Sequence, residues 1–361
     1  MRKDNLIFIF AYFIIVFGVA GCAKSGSSCS DCGPILLIGP IDIEASPFNN
    51  LVWTSRVLAL MPGPNFMAVT AIDTSNNAIV VYDRYVTQFN RYSSLSQTLG
   101  VSFTDGTVWS EGLTFSNNGA ESFIARYTKD GIKLNTFPIN YFGQLQVSPS
   151  TGYGWVAQTL TDSANLVSYD LSGLTVTQVT LPYPVYGIRI SPDSTILVAM
   201  NISGVTNCNF NDALIGVSQT GSVKGLYNLN YKVNAGFAVT SNGSIWIGDA
   251  CNDKIIKLNP NLSTNSKLNL PFVPVMFAVL PDREEVVVVH DNTKVSFFDK
   301  NGNQINSVDL VPFQISYITS ISESSTTGHI WVGTSYMNNS SGKPLFELDA
   351  NGKIIASYSL P

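Results

Sequence analysis

The stretch Gly243-Ser244-Ile245-Trp246-Ile247-Gly248, followed by Lys254-Ile255-Ile256-Lys257-Leu258-Asn259, contains two short runs rich in β-branched and aromatic residues. Polar residues 249–253 separate the two runs, and this pattern predicts a β-hairpin. Similar runs at 237–240 and 267–270 lie on either side of it. Four short runs joined by turns predict one sheet of four antiparallel strands.

Versions of this unit recur along the chain. The position of Trp246, which we call the anchor position, is filled in the other copies by Met67, Trp109, Trp155, Leu197, Val287 and Trp331. Successive anchors are 42, 46, 42, 49, 41 and 44 residues apart, a period typical of propeller blades of about 40–50 residues. Most copies also carry, behind the anchor, an Asp or another turn former and then Gly, as at 298–302 and 348–352.

Seven anchors predict an all-β, seven-bladed β-propeller with four antiparallel strands per blade over residues 50–361. The predicted blades are 51–95, 96–139, 140–182, 183–229, 230–270, 271–311 and 312–361, with Met67 in the second strand of the first. Each blade has enough chain for all four of its strands. We therefore expect the ring to close by packing of the first blade on the last.

The repeat resembles known propeller families. The Gly-x-Ile-Trp-x-Gly stretch at 243–248 and the Asp-to-Gly turns are similar to those of NHL, streptogramin-lyase-like and YVTN-type repeat propellers, over roughly residues 50–361. The resemblance implies that Trp155, Trp246 and Trp331 wedge between adjacent blades. It leaves the activity open, because one fold serves enzymes, binding modules and scaffolds.

The amino terminus has the anatomy of an export signal. A basic start at Arg2 and Lys3 precedes an apolar run at 6–19, which is shorter than the roughly 20 residues of a membrane-spanning helix. Residues 19–22, Val-Ala-Gly-Cys, resemble the bacterial lipobox. The resemblance implies a signal peptide at 1–21 and acylation of Cys22 including palmitate. The Ser- and Gly-containing residues 23–28 predict a flexible tether, which we assign to 22–49, with 35–43 apolar enough to add a strand to the edge of a neighbouring blade. The lipobox resemblance places the protein in the bacterial cell envelope, held to a membrane, and favours the outer membrane of a Gram-negative cell because no Asp follows Cys22.

The remaining cysteines allow disulfides in an exported protein. Cys29 and Cys32 form a CxxC without a second CxxC or a neighbouring His, so a local disulfide or two idle thiols are favoured over a zinc half-site or redox pair. Cys208 and Cys251 follow the second strands of adjacent blades, and we predict a disulfide between them. Two buried, unpaired thiols are the alternative.

Aromatic residues recur in the segments that join successive blades. They are Tyr141, Phe142, Tyr183, Tyr186, Tyr231, Phe272, Phe313 and Tyr317. Around a channel mouth these rings would form a platform for a protein, glycan or small organic ligand, and the alternative is packing between blades. Arg189, in an inner strand, would either meet an anionic ligand or pair with a carboxylate.

The sequence contains few residues that could carry out acid–base catalysis or bind a transition metal. Only His290 and His329 are histidines, and the net charge of −5 without a basic stripe argues against a nucleic-acid partner. Acidic side chains expected on the same face are Glu111, Asp162, Asp212, Asp249, Asp253 and Asp291, and their oxygens suit Ca²⁺ or Mg²⁺. The sequence favours a non-enzymatic binding or scaffold propeller without a cofactor or metal. The alternative is a metal-assisted lyase or lactonase that uses His290 and Asp291.

Overall fold

A computed structural model describes residues 35–361, except for 62–64, 88–98, 103, 117–118, 140–142, 161, 201–211, 230–232, 234–235, 241, 281–282, 284, 325–326, 337–343 and 361. The described chain forms seven sheets of four antiparallel strands, which confirms the predicted fold. Apart from a 3₁₀ helix at Val311–Phe313, the regular elements of the described residues are strands. None of the described residues belongs to a helix long and apolar enough to cross a membrane.

The first four blades contain sixteen strands in chain order. They are β1 (Ile35–Ala45), β2 (Leu51–Met61), β3 (Asn65–Asp73) and β4 (Ala78–Thr87); β5 (Leu99–Val101), β6 (Val108–Ser116), β7 (Gly119–Tyr127) and β8 (Lys133–Ile139); β9 (Gln144–Val147), β10 (Gly154–Thr159), β11 (Ala164–Tyr169) and β12 (Thr175–Leu181); β13 (Val185–Ile190), β14 (Ile196–Met200), β15 (Ala213–Val217) and β16 (Val223–Asn228).

The last three blades follow the same plan. Their strands are β17 (Phe237–Val239), β18 (Ile245–Asp249), β19 (Lys254–Leu258) and β20 (Thr264–Asn269); β21 (Met276–Leu280), β22 (Glu285–His290), β23 (Lys294–Phe298) and β24 (Gln304–Asp309); β25 (Ile315–Glu323), β26 (Ile330–Tyr336), β27 (Leu345–Leu348) and β28 (Ile354–Tyr358).

The first strand of each blade lies at the centre of the ring. Contacts link β1, β5, β9, β13, β17, β21 and β25 in a closed cycle, and β25 returns to β1. Because strands alternate in direction, the connections from second to third strand and from blade to blade emerge on one side of the ring, which we call the loop face. The other two kinds of turn emerge on the opposite side, the turn face.

The seven interfaces between blades are built around the anchor position. Each of seven buried clusters contains one blade's anchor side chain and apolar residues of the next blade. Trp155, Trp246 and Trp331 lie in three of these clusters, which confirms that they wedge between blades. A side chain on the second strand reaches the next sheet because the blades stack face to face about the axis.

The first blade differs from the prediction. Met67 lies in the third strand, and the second-strand anchor is Trp53, which is fully buried against Tyr127 of the second blade. The inner strand is Ile35–Ala45, so the predicted tether at 22–49 and the blade start at 51 were wrong in that range. The distance of 42 residues from Met67 to Trp109 matched the repeat by coincidence. The true step from anchor Trp53 to anchor Trp109 is 56 residues, because the strands of the first blade are long.

The ring closes by side-chain packing. Each sheet consists of four consecutive strands, and the last seam buries Trp331 and Tyr358 against Ile43 and Val52 of the first blade. Glu347 supports this seam, because it accepts a hydrogen bond from the Tyr358 hydroxyl at 2.8 Å and its other oxygen lies 2.7 Å from His329 Nδ1. His329 is therefore part of the seam.

The Asp-to-Gly turns follow from local hydrogen bonding. In the third blade, Asp170 Oδ1 accepts hydrogen bonds from the backbone N–H groups of Ser172 at 2.8 Å and Leu174 at 3.0 Å. Gly173 has φ 91°, a conformation that L side chains rarely adopt. A Cβ there would also lie 2.4 Å from the Phe137 ring of the second blade, so glycine serves both the turn and the packing of neighbouring blades.

Replacing Trp331 with Ala tests closure by packing alone. The side chain is 2 % exposed, and truncating a buried Trp costs about 3–5 kcal/mol of unfolding free energy. The matched control is Leu174→Ala, at a position 68 % exposed, where a change within about 0.5 kcal/mol is expected. Urea unfolding measures both, and a Trp331→Ala cost no larger than that of the control would contradict the assigned seam.

Candidate functional site

Charged residues converge on the central channel from the inner strands. Glu44 on β1 pairs in register with anchor Trp53, and Arg189 on β13 pairs with anchor Leu197. The two residues therefore occupy the same level of the ring, in blades one and four. Glu323 ends inner strand β25 of the seventh blade. All three side chains keep partial solvent access, although protein surrounds them, because they line a channel.

Burial shifts the pKa values of the three channel residues Glu44, Arg189 and Glu323. Desolvation raises the pKa of Glu44 to about 8; the Asp42 carboxylate adds to the rise, whereas Arg189 opposes it. Desolvation also raises the pKa of Glu323. Burial lowers the pKa of Arg189, against the attraction of Glu44, Glu323 and Asp42. At neutral pH Glu44 is therefore largely protonated.

Arg189 is held by further contacts. Its Nη1 donates a hydrogen bond to the Ile188 carbonyl oxygen at 2.8 Å, and the guanidinium lies 5.6 Å from the centre of the Phe237 ring, within cation–π range. With carboxylates as its electrostatic neighbours, Arg189 fits the carboxylate alternative of the sequence analysis. Asp42 is committed elsewhere, since its Oδ2 accepts a hydrogen bond from Leu99 N at 2.9 Å and so holds the start of β5.

His290 lies at the loop face but is enclosed. Its ring stacks on Phe272, with centroids 3.5 Å apart and an interplanar angle of 8°, and the residue is 6 % exposed. Nε2 lies 2.8 Å from Ser296 Oγ, which donates to Ser307 Oγ at 3.0 Å. Desolvation lowers the pKa of His290, and Asp291 opposes that effect. The imidazole is therefore neutral near pH 7 and bonded within its blade.

Asp291 has a structural role in the same hairpin. Asp291 and Asn292 have φ values of 47° and 66°, as in the two-residue turns that join antiparallel strands. Asp291 Oδ2 lies 3.2 Å from His290 Nδ1, within ion-pair range. However, Nδ1 makes no well-directed hydrogen bond. The His290–Asp291 contact is therefore weak.

Other acidic side chains of the loop face tie down loops. Glu111, which is fully buried, accepts a hydrogen bond from Gly143 N at 3.0 Å, and burial raises its pKa well above the usual value. Asp212 accepts from Val233 N at 2.8 Å, and Asp249 accepts from Cys251 N at 3.1 Å. Within the described part of the chain, no three His, Cys, Asp or Glu side chains are placed to hold a metal ion.

The predicted aromatic set is divided between packing and the surface. Tyr183 packs against the cluster between blades three and four, and Phe272 contacts both His290 and Phe298. Phe313 is 44 % exposed beside Phe346, and Tyr317 is half-buried on β25. Tyr186 lies on β13, whereas Tyr141, Phe142 and Tyr231 lie outside the described residues. Tyr183 and Phe272 thus behave as the packing alternative expected.

A small cleft lies elsewhere, at the turn face of the seam between blades seven and one, beside Ser46, Asn50, Thr74 and Glu347. Its volume is about 20 Å³, whereas pockets for drug-sized ligands usually measure about 300–1,000 Å³. This cleft is therefore too small to be the main ligand site.

The sequence analysis missed Glu44 and Glu323. Glu44 precedes Trp53 by nine residues, as Gln146 precedes anchor Trp155. That spacing would have placed Glu44 on an inner strand if Trp53 had been taken as the anchor. Nothing comparable marks Glu323, because its strand contains register shifts that only the folded sheet reveals.

Solved structures of other proteins share this fold. No protein-family model and no curated protein matches the sequence. A catalytically inactive histidine-to-alanine variant of virginiamycin B lyase from Staphylococcus aureus, solved with quinupristin, is 14 % identical with a TM-score of 0.55. The match covers 84 % of this chain and 95 % of that one.

A streptogramin B lyase is 16 % identical with a TM-score of 0.52, over 83 % of this chain and 94 % of that one. The chain shares its fold with these lyases. A protein of unknown function from Bacteroides caccae is 14 % identical over 66 % of this chain and 90 % of that one, with a TM-score of 0.46. At such identities the likeness concerns the fold alone, and the propeller resemblance expected from the sequence is thereby confirmed.

The raised pKa of Glu44 predicts that the free energy of unfolding depends on pH. A carboxyl whose pKa rises from 4.5 unfolded to about 8 folded binds more protons in the folded state between those values. Unfolding free energy should therefore fall as pH rises from about 5 to about 8, by at most about 1.4 kcal/mol per pH unit for one proton.

Glu44→Gln should flatten this slope in urea titrations at fixed pH. The control is Asp299→Asn, because hydrogen bonds lower the pKa of Asp299 and its titration lies below this window. An unchanged slope in Glu44→Gln would contradict the assigned channel position.

The disulfide partner of Cys251 is predicted to be Cys208. Cys251 is disulfide-bonded, and Cys208 lies outside the described residues, as do Cys22, Cys29 and Cys32. We expect non-reducing peptide mapping to link Cys251 to Cys208 across a loop of 43 residues (251 − 208). Such a bond is worth about 3–4 kcal/mol in the chain-entropy model. A map that links Cys251 to Cys29 or Cys32 would contradict this pairing.

Proposed function

We propose that this chain is an extracytoplasmic lipoprotein whose propeller binds a protein, glycan or small molecule at its loop face and performs no catalysis. Acylation at Cys22 would hold the domain at a membrane surface of the bacterial cell envelope. A single acylated cysteine with more than one chain provides stable anchoring, since each buried CH₂ adds about 0.8 kcal/mol. No nucleic acid is expected as a partner, in keeping with the net charge of −5.

The state of His290 carries the proposal against catalysis. A general base must come within hydrogen-bond reach of a substrate proton, yet Phe272 stacks on the His290 ring and Ser296 Oγ lies 2.8 Å from its Nε2. His329 contacts Glu347 at the seam. Neither histidine meets the mutual geometry that an acid–base assignment requires.

The enzyme alternative is a metal-assisted lyase or lactonase that uses His290 and Asp291 with Ca²⁺ or Mg²⁺. Its support is the fold shared with virginiamycin B lyase, whose structure was solved with quinupristin as an inactive histidine variant. In the described part of the chain Glu111, Asp212 and Asp249 each accept a hydrogen bond from a loop backbone, which favours a structural role for them. Binding therefore remains the better-supported function.

The proposed ligand surface surrounds the channel mouth. Phe313 offers an exposed ring on the connection from blade six to blade seven, and Tyr141, Phe142 and Tyr231 belong by sequence to the same class of connections between blades. Arg189 supplies positive charge within the channel, beside the carboxyl groups of Glu44 and Glu323. An exposed ring together with these polar groups suits a ligand with apolar and polar parts.

Anchoring and catalysis are tested on the full chain made in a bacterial host. The processed protein should begin at Cys22, carry acyl chains by mass spectrometry and float with membranes, whereas Cys22→Ser should be recovered in the soluble fraction. The acylated protein should leave quinupristin intact in the presence of Mg²⁺. An unmodified Cys22 in membrane-free protein would refute anchoring, and quinupristin turnover abolished by His290→Ala would refute the non-enzymatic proposal.

A further inference from the structure

Three charged residues of the inner strands lie at the turn-face end of the channel. Glu44 and Arg189 are the last residues but one of β1 and β13, and Glu323 is the last residue of β25. Each inner strand runs from a connection between blades, at the loop face, to the turn that leads into the second strand, at the turn face. The three side chains therefore gather near the mouth that is opposite to exposed Phe313.

Arg189 is the only Lys or Arg on the seven inner strands as the structure describes them. Its guanidinium has five N–H donors. In the described part of the chain it makes one hydrogen bond, from Nη1 to the Ile188 carbonyl oxygen, and no direct ion pair with a carboxylate. Its other nitrogens are not sealed in protein, since none of them is among the buried polar atoms that lack a partner. Donors of Arg189 are therefore open to the channel.

The neighbouring carboxyl groups act on Arg189 across the channel rather than as ion-pair partners. Burial raises the pKa of Glu44 to about 8 and that of Glu323 above its usual value, so Glu44 is largely a neutral carboxylic acid at pH 7. Asp42 is bonded to the start of β5, because its Oδ2 accepts a hydrogen bond from Leu99 N at 2.9 Å. An ionised guanidinium in a desolvated channel is stabilised by an anion that pairs with it.

The chemistry of the site favours a carboxylate as that anion. The Arg189 guanidinium is positioned by the Phe237 ring, whose centre lies 5.6 Å away, and its planar fork of donors matches the two oxygens of a carboxylate or phosphate. One positive charge balances one carboxylate, whereas a phosphate monoester would bring about two negative charges close to the Asp42 carboxylate. A neutral Glu44 can also donate a hydrogen bond to a carboxylate oxygen.

We propose that the turn-face end of the channel binds a small monocarboxylate, which pairs with Arg189 and accepts a hydrogen bond from Glu44. This inference deepens the proposed binding function and rests on it. An ionised Glu44 would repel the ligand and compete for Arg189, so binding should weaken as rising pH removes the Glu44 proton. The charged groups that act on Glu44 are Asp42 on its own strand, Arg189 on β13 and Glu323 on β25.

The test uses the full-length chain with Cys22→Ser and three probes of matched size: butyrate, butylamine and 1-butanol. Saturation-transfer NMR gives the dissociation constant of each at pH 7. Butyrate should bind about tenfold or more tightly than the other two, because it alone can pair with a guanidinium. Arg189→Gln should weaken butyrate by a similar factor. The control Lys300→Gln removes an exposed charge of the turn face and should change butyrate binding by less than about twofold.

Glu44→Gln gives a second test that leaves Arg189 intact. With Glu44 present, butyrate affinity should fall about tenfold between about pH 7 and about pH 9, because the protonated fraction of a carboxyl with a pKa of about 8 falls from about nine-tenths to about one-tenth. In Glu44→Gln a neutral amide donates the hydrogen bond at every pH, so the affinity should stay nearly constant over this range.

Three results overturn the inference: equal binding of the three probes, tighter binding of butylamine, and unchanged butyrate binding in folded Arg189→Gln. A fall in affinity with pH that persists in Glu44→Gln also overturns it. Absence of butyrate binding refutes the carboxylate site and leaves ligand binding at the loop face standing. Quinupristin turnover that His290→Ala abolishes refutes the proposed function whatever the three probes show, so the two failures are distinguishable.

Discussion

Packing of one side chain per blade against the next sheet is the interaction on which this molecule depends. The position is filled by Trp53, Trp109, Trp155, Leu197, Trp246, Val287 and Trp331, and each belongs to a separate buried cluster. Since every sheet is made of consecutive strands, no backbone ladder joins one blade to another. Side-chain burial at the seven interfaces holds the ring closed, together with single hydrogen bonds between blades such as that from Ile318 N to Asn292 O.

Closing the ring creates the channel and sets its electrostatics. Glu44 and Arg189 are 145 residues apart (189 − 44) in the chain, yet register with the anchors puts them at one level. Protein on all sides disfavours the ionised carboxyl, so burial becomes the largest cause of the raised pKa of Glu44. The same enclosure at the loop face makes His290 a neutral residue that is packed against Phe272.

The predictions from sequence succeeded where the signal is local and periodic. The 40–50-residue repeat, the anchor tryptophans and the Asp-to-Gly turns each arise within one blade, so the blade count and strand plan followed from them. They failed in the first blade, where long apolar strands offered two plausible anchors, Trp53 and Met67. The misassignment also hid Glu44, because β1 was taken for tether. The candidate catalytic pair His290 and Asp291 was read from residue type, which carries no information on the stacking of Phe272 over the ring.

The sequence by itself determined the repeat, the strand number and the turn chemistry, because a strand's apolar pattern and an Asx turn depend on residues within a few positions of each other. It also carries the lipobox-like signal on which the proposed anchoring rests. Only the tertiary structure decided which residues share the channel and which histidine is enclosed. Those properties depend on strand register and on the meeting of distant blades, and a shift of one residue would move each side chain to the opposite face.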